Sequence, residues 1–358
     1  MKIGIYDPYL DDLGGGEKYM MTIAECLSAK NGVDVFWDGA QDFKALNQRF
    51  SLDLTKVNLV PNIFSAKTPI FKKLLETRKY DAIIVLSDGS IPLSLSKKLF
   101  LHVQQPLKSF NPQTLMGKIK LSRVNAIFCN SEYTKSFNKE KFNLKSYVVY
   151  PPVSISPKKI QKENIILTVG RFRVKDVVTK TDDYKKLPVM IETFKKLVNK
   201  GLSDWKFILA VSVQEKDKNA FNDLRESAKG FPIEFLVNKS NEQLREEYSK
   251  AKIYWHASGF GEDLITHPEF AEHFGISTVE AMESGVVPVV INAGGQKEIV
   301  ENGVNGFLWN TIEELESETL ELTENDKLLK ELSENAKKIS KKFSKNKFCY
   351  EINNLILQ

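Results

Sequence analysis

Short apolar runs alternate with longer amphipathic stretches along the chain. Ile3–Tyr6, Val33–Trp37, Val57–Val60, Ala82–Leu86, Leu99–Val103, Ala126–Cys129 and Tyr147–Tyr150 have the length and residue types of strands, with Gly15–Ala29 and Glu132–Asn138 as helices among them. After Pro151-Pro152 and Pro157 the pattern restarts. Ile165–Val169, Phe207–Val213, Ile233–Val237, Ile253–His256 and Val287–Ile291 form a second set of strands, with helices near Val189–Lys200, Asn219–Ala228, Asn241–Lys250 and Ile276–Glu283. Strands that are apolar at consecutive positions and separated by helices belong in parallel sheets covered on both faces. The pattern therefore predicts an α/β protein of two Rossmann-like doubly wound domains, residues 1–152 and 153–342, facing across a cleft at a proline-rich hinge. The tail from Thr323 is helical by pattern, with Leu328, Leu329, Leu332, Ala336 and Ile339 on one stripe. Arg173–Tyr184 is charged and poorly periodic, which predicts a mobile loop.

Composition changes this picture little. With 358 residues, 42 % apolar and 27 % charged, the chain has room for two cores and the make-up of an ordinary globular protein. Its start runs straight into a strand, and no apolar run nears the roughly 20 residues that span a bilayer, so a cytoplasmic protein is expected. Cys26, Cys129 and Cys349 are odd in number, far apart and without a Cys-x-x-Cys pair, which predicts idle thiols, no disulfide and no structural zinc. The histidines do not repeat at metal-ligand spacing, so no metal is assigned.

Charge adds a surface. The first 150 residues hold 21 Lys and Arg against 14 Asp and Glu. Between Ser65 and Tyr80, Ile70, Phe71, Leu74 and Leu75 recur at helical spacing among Lys67, Lys72, Lys73, Arg78 and Lys79. Such a helix suits an anionic membrane surface, at the inner face for a cytoplasmic protein, or a phosphorylated acceptor, or it packs on its own sheet with a solvated face. Nothing in the pattern points to nucleic acid.

The candidate chemistry centres on Glu272 and Glu280. They flank a loop-to-helix junction, Glu272-His-Phe-Gly-Ile-Ser-Thr-Val-Glu280, that leads into the strand Val287–Ile291. Phe274, Gly275 and Ile276 should start the helix, with free N–H groups and a positive dipole end that suit a phosphate. Carboxylates beside an anion site suit a ligand with both hydroxyls and phosphate, such as a nucleotide sugar. Arg171 follows a strand, where open α/β sheets place ligands, and its planar fork can hold phosphate oxygens bidentately. The loop Leu13-Gly14-Gly15-Gly16-Glu17-Lys18 lets another group approach its backbone closely. The metal-binding pattern Asp-x-Asp does not occur in the chain.

These residues resemble the Glu-x7-Glu motif of retaining glycosyltransferases of the two-domain GT-B architecture, in particular family 4. The resemblance extends to Gly294-Gly295-Gln296-Lys297-Glu298-Ile299-Val300 and Asn302-Gly303-Val304-Asn305-Gly306-Phe307-Leu308. It is strong from about Tyr254 to Trp309, fair at both domain starts and faint elsewhere. It implies a metal-independent hexose transfer, with mannose the first candidate sugar, from a GDP- or UDP-linked donor to a glycan or lipid-linked acceptor, with no cofactor. Arg171 and Lys185, with Lys186 adjacent, would hold the diphosphate together with the helix start at Phe274, Gly275 and Ile276. Glu280 would bind ribose hydroxyls, Glu272 a sugar hydroxyl, Gly15 and Gly16 would face the donor phosphate, and His102 would face the transferred sugar. It also implies that residues 343–358 cross back to the first domain. The competing readings are a non-catalytic sugar-nucleotide or membrane-binding homologue or partner subunit, and a nonhydrolysing epimerase with acid/base carboxylates in the first domain.

Overall fold

The structure, a computed structural model, describes residues 1–12, 14–107, 114–142, 144–153, 155–174 and 183–357, except for the side chains at 140 and 141. Residues 175–182 of the expected loop lie outside the described residues. The chain divides into two compact units, Met1–Pro152 with Phe343–Gln358, and Val153–Lys342.

Unit 1 is a seven-stranded parallel sheet of β1 (Lys2–Tyr6), β2 (Gly32–Phe36), β3 (Val57–Val60), β4 (Ala82–Leu86), β5 (Lys98–Val103), β6 (Ala126–Cys129) and β7 (Ser146–Val148). Its order is β3-β2-β1-β4-β5-β6-β7. The connections include α1 (Gly15–Ser28), α2 (Ala40–Phe50), α3 (Ile70–Thr77), α4 (Leu115–Ser122) and α5 (Glu132–Phe142). Alternation along each strand feeds two cores. Ile3, Ile5, Ile84 and Phe100 pack with α1 on one face, while Ile83, Val85, Leu99 and Leu101 pack with Phe142 of α5 on the other. Strands buried on both faces read as unbroken apolar runs, which is why these were found from sequence. The α2 segment was not, because Leu46 is its one buried residue and leaves no period to detect.

Unit 2 repeats the plan with β8 (Ile165–Phe172), β9 (Lys206–Val213), β10 (Ile233–Val237), β11 (Ile253–His256), β12 (Val287–Ile291) and β13 (Phe307–Trp309), in the order β10-β9-β8-β11-β12-β13. Its helices are α6 (Leu187–Asn199), α7 (Lys218–Ser227), α8 (Asn241–Lys250), α9 (Ile276–Glu283), α10 (Gln296–Ile299), α11 (Ile312–Glu324) and α12 (Asp326–Ser340). Three-residue β13 is too short to show a pattern. β8 runs three residues beyond the expected Val169: Gly170, Arg171 and Phe172 stay in register with Val211, Ser212 and Val213.

The last helix, α13 (Lys345–Leu357), belongs to unit 1. Phe348, Ile352 and Ile356, spaced by one turn, enter the core that α1 lines, and Phe348 meets the Tyr19 ring edge-on at 4.9 Å. Lys345 pairs with Glu25 at 2.6 Å. This return corrects the expectation of three thiols. Packing α13 on α1 brings Cys349 to Cys26 with Cα atoms 5.2 Å apart, and the two form a disulfide across 323 residues. Spacing along the chain carries no sign of such a pair; Cys129 stays a buried thiol.

Burial predicts what α13 contributes. Phe348→Ala should destabilise unit 1 by about 3–5 kcal/mol, whereas Tyr350→Ala, on the exposed side, should stay within about 0.5 kcal/mol in urea unfolding. Equal effects of the two would mean that α13 does not share the core.

Candidate functional site

In unit 2 the chain winds outward from β8 to β9 and β10, then resumes on the other side of β8 with β11, β12 and β13. Successive right-handed crossovers on opposite sides leave the carboxyl ends of β8 and β11 without a covering helix, and open α/β sheets bind ligands in such a crevice. Arg171 stands at the end of β8 and His256 at the end of β11. The connection from β8 to α6 supplies Lys185, and the loop from β11 to α9 supplies Glu272.

Lys185 and His256 meet at one carboxylate oxygen of Glu272. Lys185 Nζ lies 2.5 Å from Glu272 Oε2, and His256 Nε2 lies 3.0 Å from the same atom. Lys185 Nζ is also 3.5 Å from His256 Nε2, and Ser258 Oγ is 3.4 Å from that nitrogen. Burial pushes the Glu272 carboxyl up, but the Lys185 ammonium and the bond from His256 together hold it well below the usual carboxylate range. Burial keeps the His256 ring below its ordinary value, so the neutral ring donates from Nε2 to a carboxylate. Lys185 fits because Gly170 has no side chain: a Cβ there would stand 2.8 Å from Lys185 Cε. The neighbouring Lys186 turns elsewhere and pairs with Glu262 at 2.6 Å.

The glycine pair of the sequence motif fixes the Glu272 backbone. Gly295 N–H donates to the Glu272 carbonyl at 2.8 Å, and a Cβ on Gly294, at φ +59°, would collide with that same carbonyl. Gly275 caps α9 at φ +119° with no side chain to cover the first-turn N–H groups, while Phe274 is buried behind it and Ile276 opens the helix. One turn in, Glu280 accepts a hydrogen bond from Tyr248 Oη at 3.1 Å. Tyr254 Oη donates to Ser277 Oγ at 2.8 Å.

The remaining expected site residues belong to unit 1. Gly15 and Gly16 open α1, and Gln104 Nε2 donates to the Gly16 carbonyl at 3.3 Å. Glu17 accepts from the Gly14 N–H at 2.6 Å. His102, expected to face a sugar, is fully buried, with the Tyr19 ring stacked on it at 4.0 Å and that of Phe128 at 4.6 Å. Burial pushes the ring down to about 3, and Nδ1 bonds the Phe128 carbonyl, while Nε2 has no partner among the described residues.

Sequence reasoning missed His256, which was weighed only as a metal ligand. The signal was present, since it ends a buried strand at the point where the winding reverses. It also gave no role to Gln296, whose fully buried amide stands against Gly275 and has no partner among the described residues. Among the described residues no group of three His, Cys, Asp or Glu is arranged so that it could hold a metal ion.

Two doubly wound parallel-sheet domains define the GT-B fold. Solved structures agree: Anabaena HepE in complex with UDP and glucose covers all of this chain and 99 % of its own at a TM-score of 0.73 and 21 % identity. The sequence pattern of the glycosyl transferases group 1 family matches residues 154–339, just over half of the chain, which therefore belongs to that family. The chain is 28 % identical over 270 residues to a Dictyostelium discoideum GDP-Man:Man(3)GlcNAc(2)-PP-Dol alpha-1,2-mannosyltransferase, covering 70 % of this chain and 48 % of that protein. The alpha-1,3/1,6-mannosyltransferase ALG2 of the same organism is 23 % identical across 83 % of this chain and 79 % of its own length. The chain spans about half, or less, of the length of the first of these relatives and its counterparts in other organisms.

The shared carboxylate makes a prediction about pH. A carboxylate held below its unfolded value of about 4.3 adds stability above that pH and loses it as pH falls through the folded value. Lys185→Met should therefore be less stable than the parent chain near neutrality, with the gap closing on acidification in chemical unfolding. A gap that does not change with pH would assign Lys185 to packing against Gly170 alone.

Proposed function

We propose that the chain is a retaining, metal-independent hexosyltransferase that takes its sugar from a nucleoside diphosphate and passes it to a lipid-linked glycan. The observation that carries this reading is the meeting of Lys185, His256 and Glu272 beside Arg171 at the switch point of unit 2. The nucleotide would lie over α9, with Glu280 accepting hydrogen bonds from the ribose hydroxyls. The first-turn N–H groups at Gly275 and Ile276, the Arg171 guanidinium and the Lys185 ammonium would hold the diphosphate. As the sugar–phosphate bond breaks, negative charge grows on the leaving oxygen, and fixed cations stabilise it without reorganising. Both of these bonds to the Glu272 carboxylate fall on Oε2, and Oε1 would accept from a sugar hydroxyl.

Retention is attributed to attack from the face the phosphate leaves, with the departing phosphate taking the acceptor proton. Gly15 and Gly16 would offer backbone to the donor phosphate from unit 1, and a cytoplasmic setting at the membrane's inner face is part of the same reading. His102, neutral and packed, would act through Nε2 alone. Mannose carried on GDP is the first donor to try, because the Dictyostelium discoideum relative matched over 270 residues is named for it; the HepE structure holds UDP.

A panel of GDP- and UDP-sugars, offered without acceptor and then with lipid extract, tests the reading. Slow nucleotide release that quickens with lipid and survives EDTA is the expected result. Interconversion of the donor would make the chain an epimerase, and binding without turnover a non-catalytic homologue.

Arg171 has a separate test. Arg171→Ala should weaken nucleoside-diphosphate binding by about 1.5–3 kcal/mol, the scale of a charge-assisted hydrogen bond, and leave the nucleoside alone nearly unchanged. Equal losses for the two ligands in calorimetry would take Arg171 out of the diphosphate clamp.

A further inference from the structure

Unit 1 carries an apolar surface that its own core does not use. On α3, Ile70, Phe71 and Leu75 are exposed, Phe71 by 72 %; on α4, Leu115, Met116 and Ile119 are exposed, Leu115 by 77 %, and the helix has no buried residue. Apolar side chains grouped this densely on a surface mark an interaction site.

The two helices belong to one face. Both lie in connections that carry the chain the same way across the sheet, from β3 to β4 and from β5 to β6, and right-handed crossovers put such helices on the same side. The segment before β5 ties them together. Leu95 N–H donates to Thr77 Oγ1 at the end of α3 at 3.0 Å, and Arg123, which caps α4, donates to the Ser96 carbonyl at 2.9 Å. Leu95 is itself exposed, so it adds to the apolar surface between the helices.

Charge decides what this face fits. Residues 65–81, 95–98 and 114–123 contain ten Lys and Arg against two acids, Glu76 and Asp81. Each acid is already engaged, Glu76 with Lys79 at 2.7 Å and Asp81 with Lys97 at 2.6 Å. A two-fold contact between copies would set this basic patch against itself, and like charges would oppose it. An anionic bilayer answers both features, since phosphate headgroups meet the cations while the large side chains reach the acyl boundary. No helix among the described residues is long and apolar enough to cross a membrane, so this contact lies on the surface.

We propose that α3, α4 and the Leu95–Ser96 link form a docking face for anionic lipid. This goes beyond the transferase reading: the single-helix expectation for Ser65–Tyr80 becomes a two-helix surface in which α4 contributes the most exposed side chain.

Co-sedimentation of the full chain with vesicles of phosphatidylcholine, with and without phosphatidylglycerol, tests it. Binding should require phosphatidylglycerol and fade with salt. Leu115→Ser/Met116→Ser and, separately, Phe71→Ser should each lower vesicle partitioning by about tenfold or more. All three side chains are exposed, so folding should be untouched, and nucleoside-diphosphate binding measured on the same samples should not change. Loss from Phe71→Ser with full binding by the α4 variant would overturn the two-helix surface, and binding unaffected by either would overturn the site. A self-association seen by sedimentation velocity, abolished by these substitutions and without vesicle binding, would assign the face to a second copy instead. Failure here leaves nucleotide binding intact, so it is distinguishable from failure of the transferase reading.

Discussion

The reversal of winding at β8 is the constraint on which the site depends. A parallel sheet needs a crossover after every strand, and each crossover covers one face; only where the direction changes do two neighbouring strand ends stay open. In unit 2 those ends belong to β8 and β11, and the side chains with binding chemistry sit on them or in the connections that leave them. Unit 1 obeys the same rule at β1 and β4. There the chain places Asp7 with Tyr9, whose hydroxyl reaches Asp88 at 2.8 Å. The two units thus present open edges of different character, one organised around a cation shared with a carboxylate, the other around carboxylates and a glycine-rich turn.

A carboxylate beneath the surface of such a crevice is costly unless its charge is answered. Glu272 is answered twice on one oxygen, by the Lys185 ammonium and by the neutral His256 ring. The backbone behind it is immobilised by Gly294 and Gly295, at positions where a side chain would strike the Glu272 or His273 carbonyl. Lys185 is held in turn against Gly170. The cation is therefore ordered before any ligand arrives, and an arriving phosphate would compete for a charge already in place rather than order a free side chain.

Much of this was legible in advance. Buried parallel strands have no polar face, so their runs stood out, and the Glu272–Glu280 spacing located α9 to the residue. What escaped were features whose signal lies in space rather than along the chain. Cys26 and Cys349 are unrelated in sequence until α13 returns to α1. The stacking of Tyr19 and Phe128 on His102 is another, because ring contacts leave no trace in spacing. Spacing could not separate Lys185 from Lys186 either: the left-handed backbone of Lys186, at φ +56°, accompanies the divergence of the adjacent side chains to Glu272 and Glu262 respectively.

Helix α9 also shows how an element can be held at both ends while its first turn has no side-chain cap. At its start, Gly275 packs under the buried Gln296 side chain, and the glycine pair ties the preceding loop. At its end, Lys162 donates to the Ser284 carbonyl at 2.9 Å, and to the carbonyls of Tyr248 and Ala251 at 3.2 and 2.7 Å. Burial pushes the Lys162 ammonium down to about 7; while it holds its proton its three donors are all used, and they answer the negative ends of α8 and α9 together. Tyr248, whose carbonyl is gripped in this way, is the residue whose hydroxyl orients Glu280. The clamp at the far end of α9 and the carboxylate one turn from its start thus share a single tyrosine, so the helix and its acceptor group are set by the same contacts.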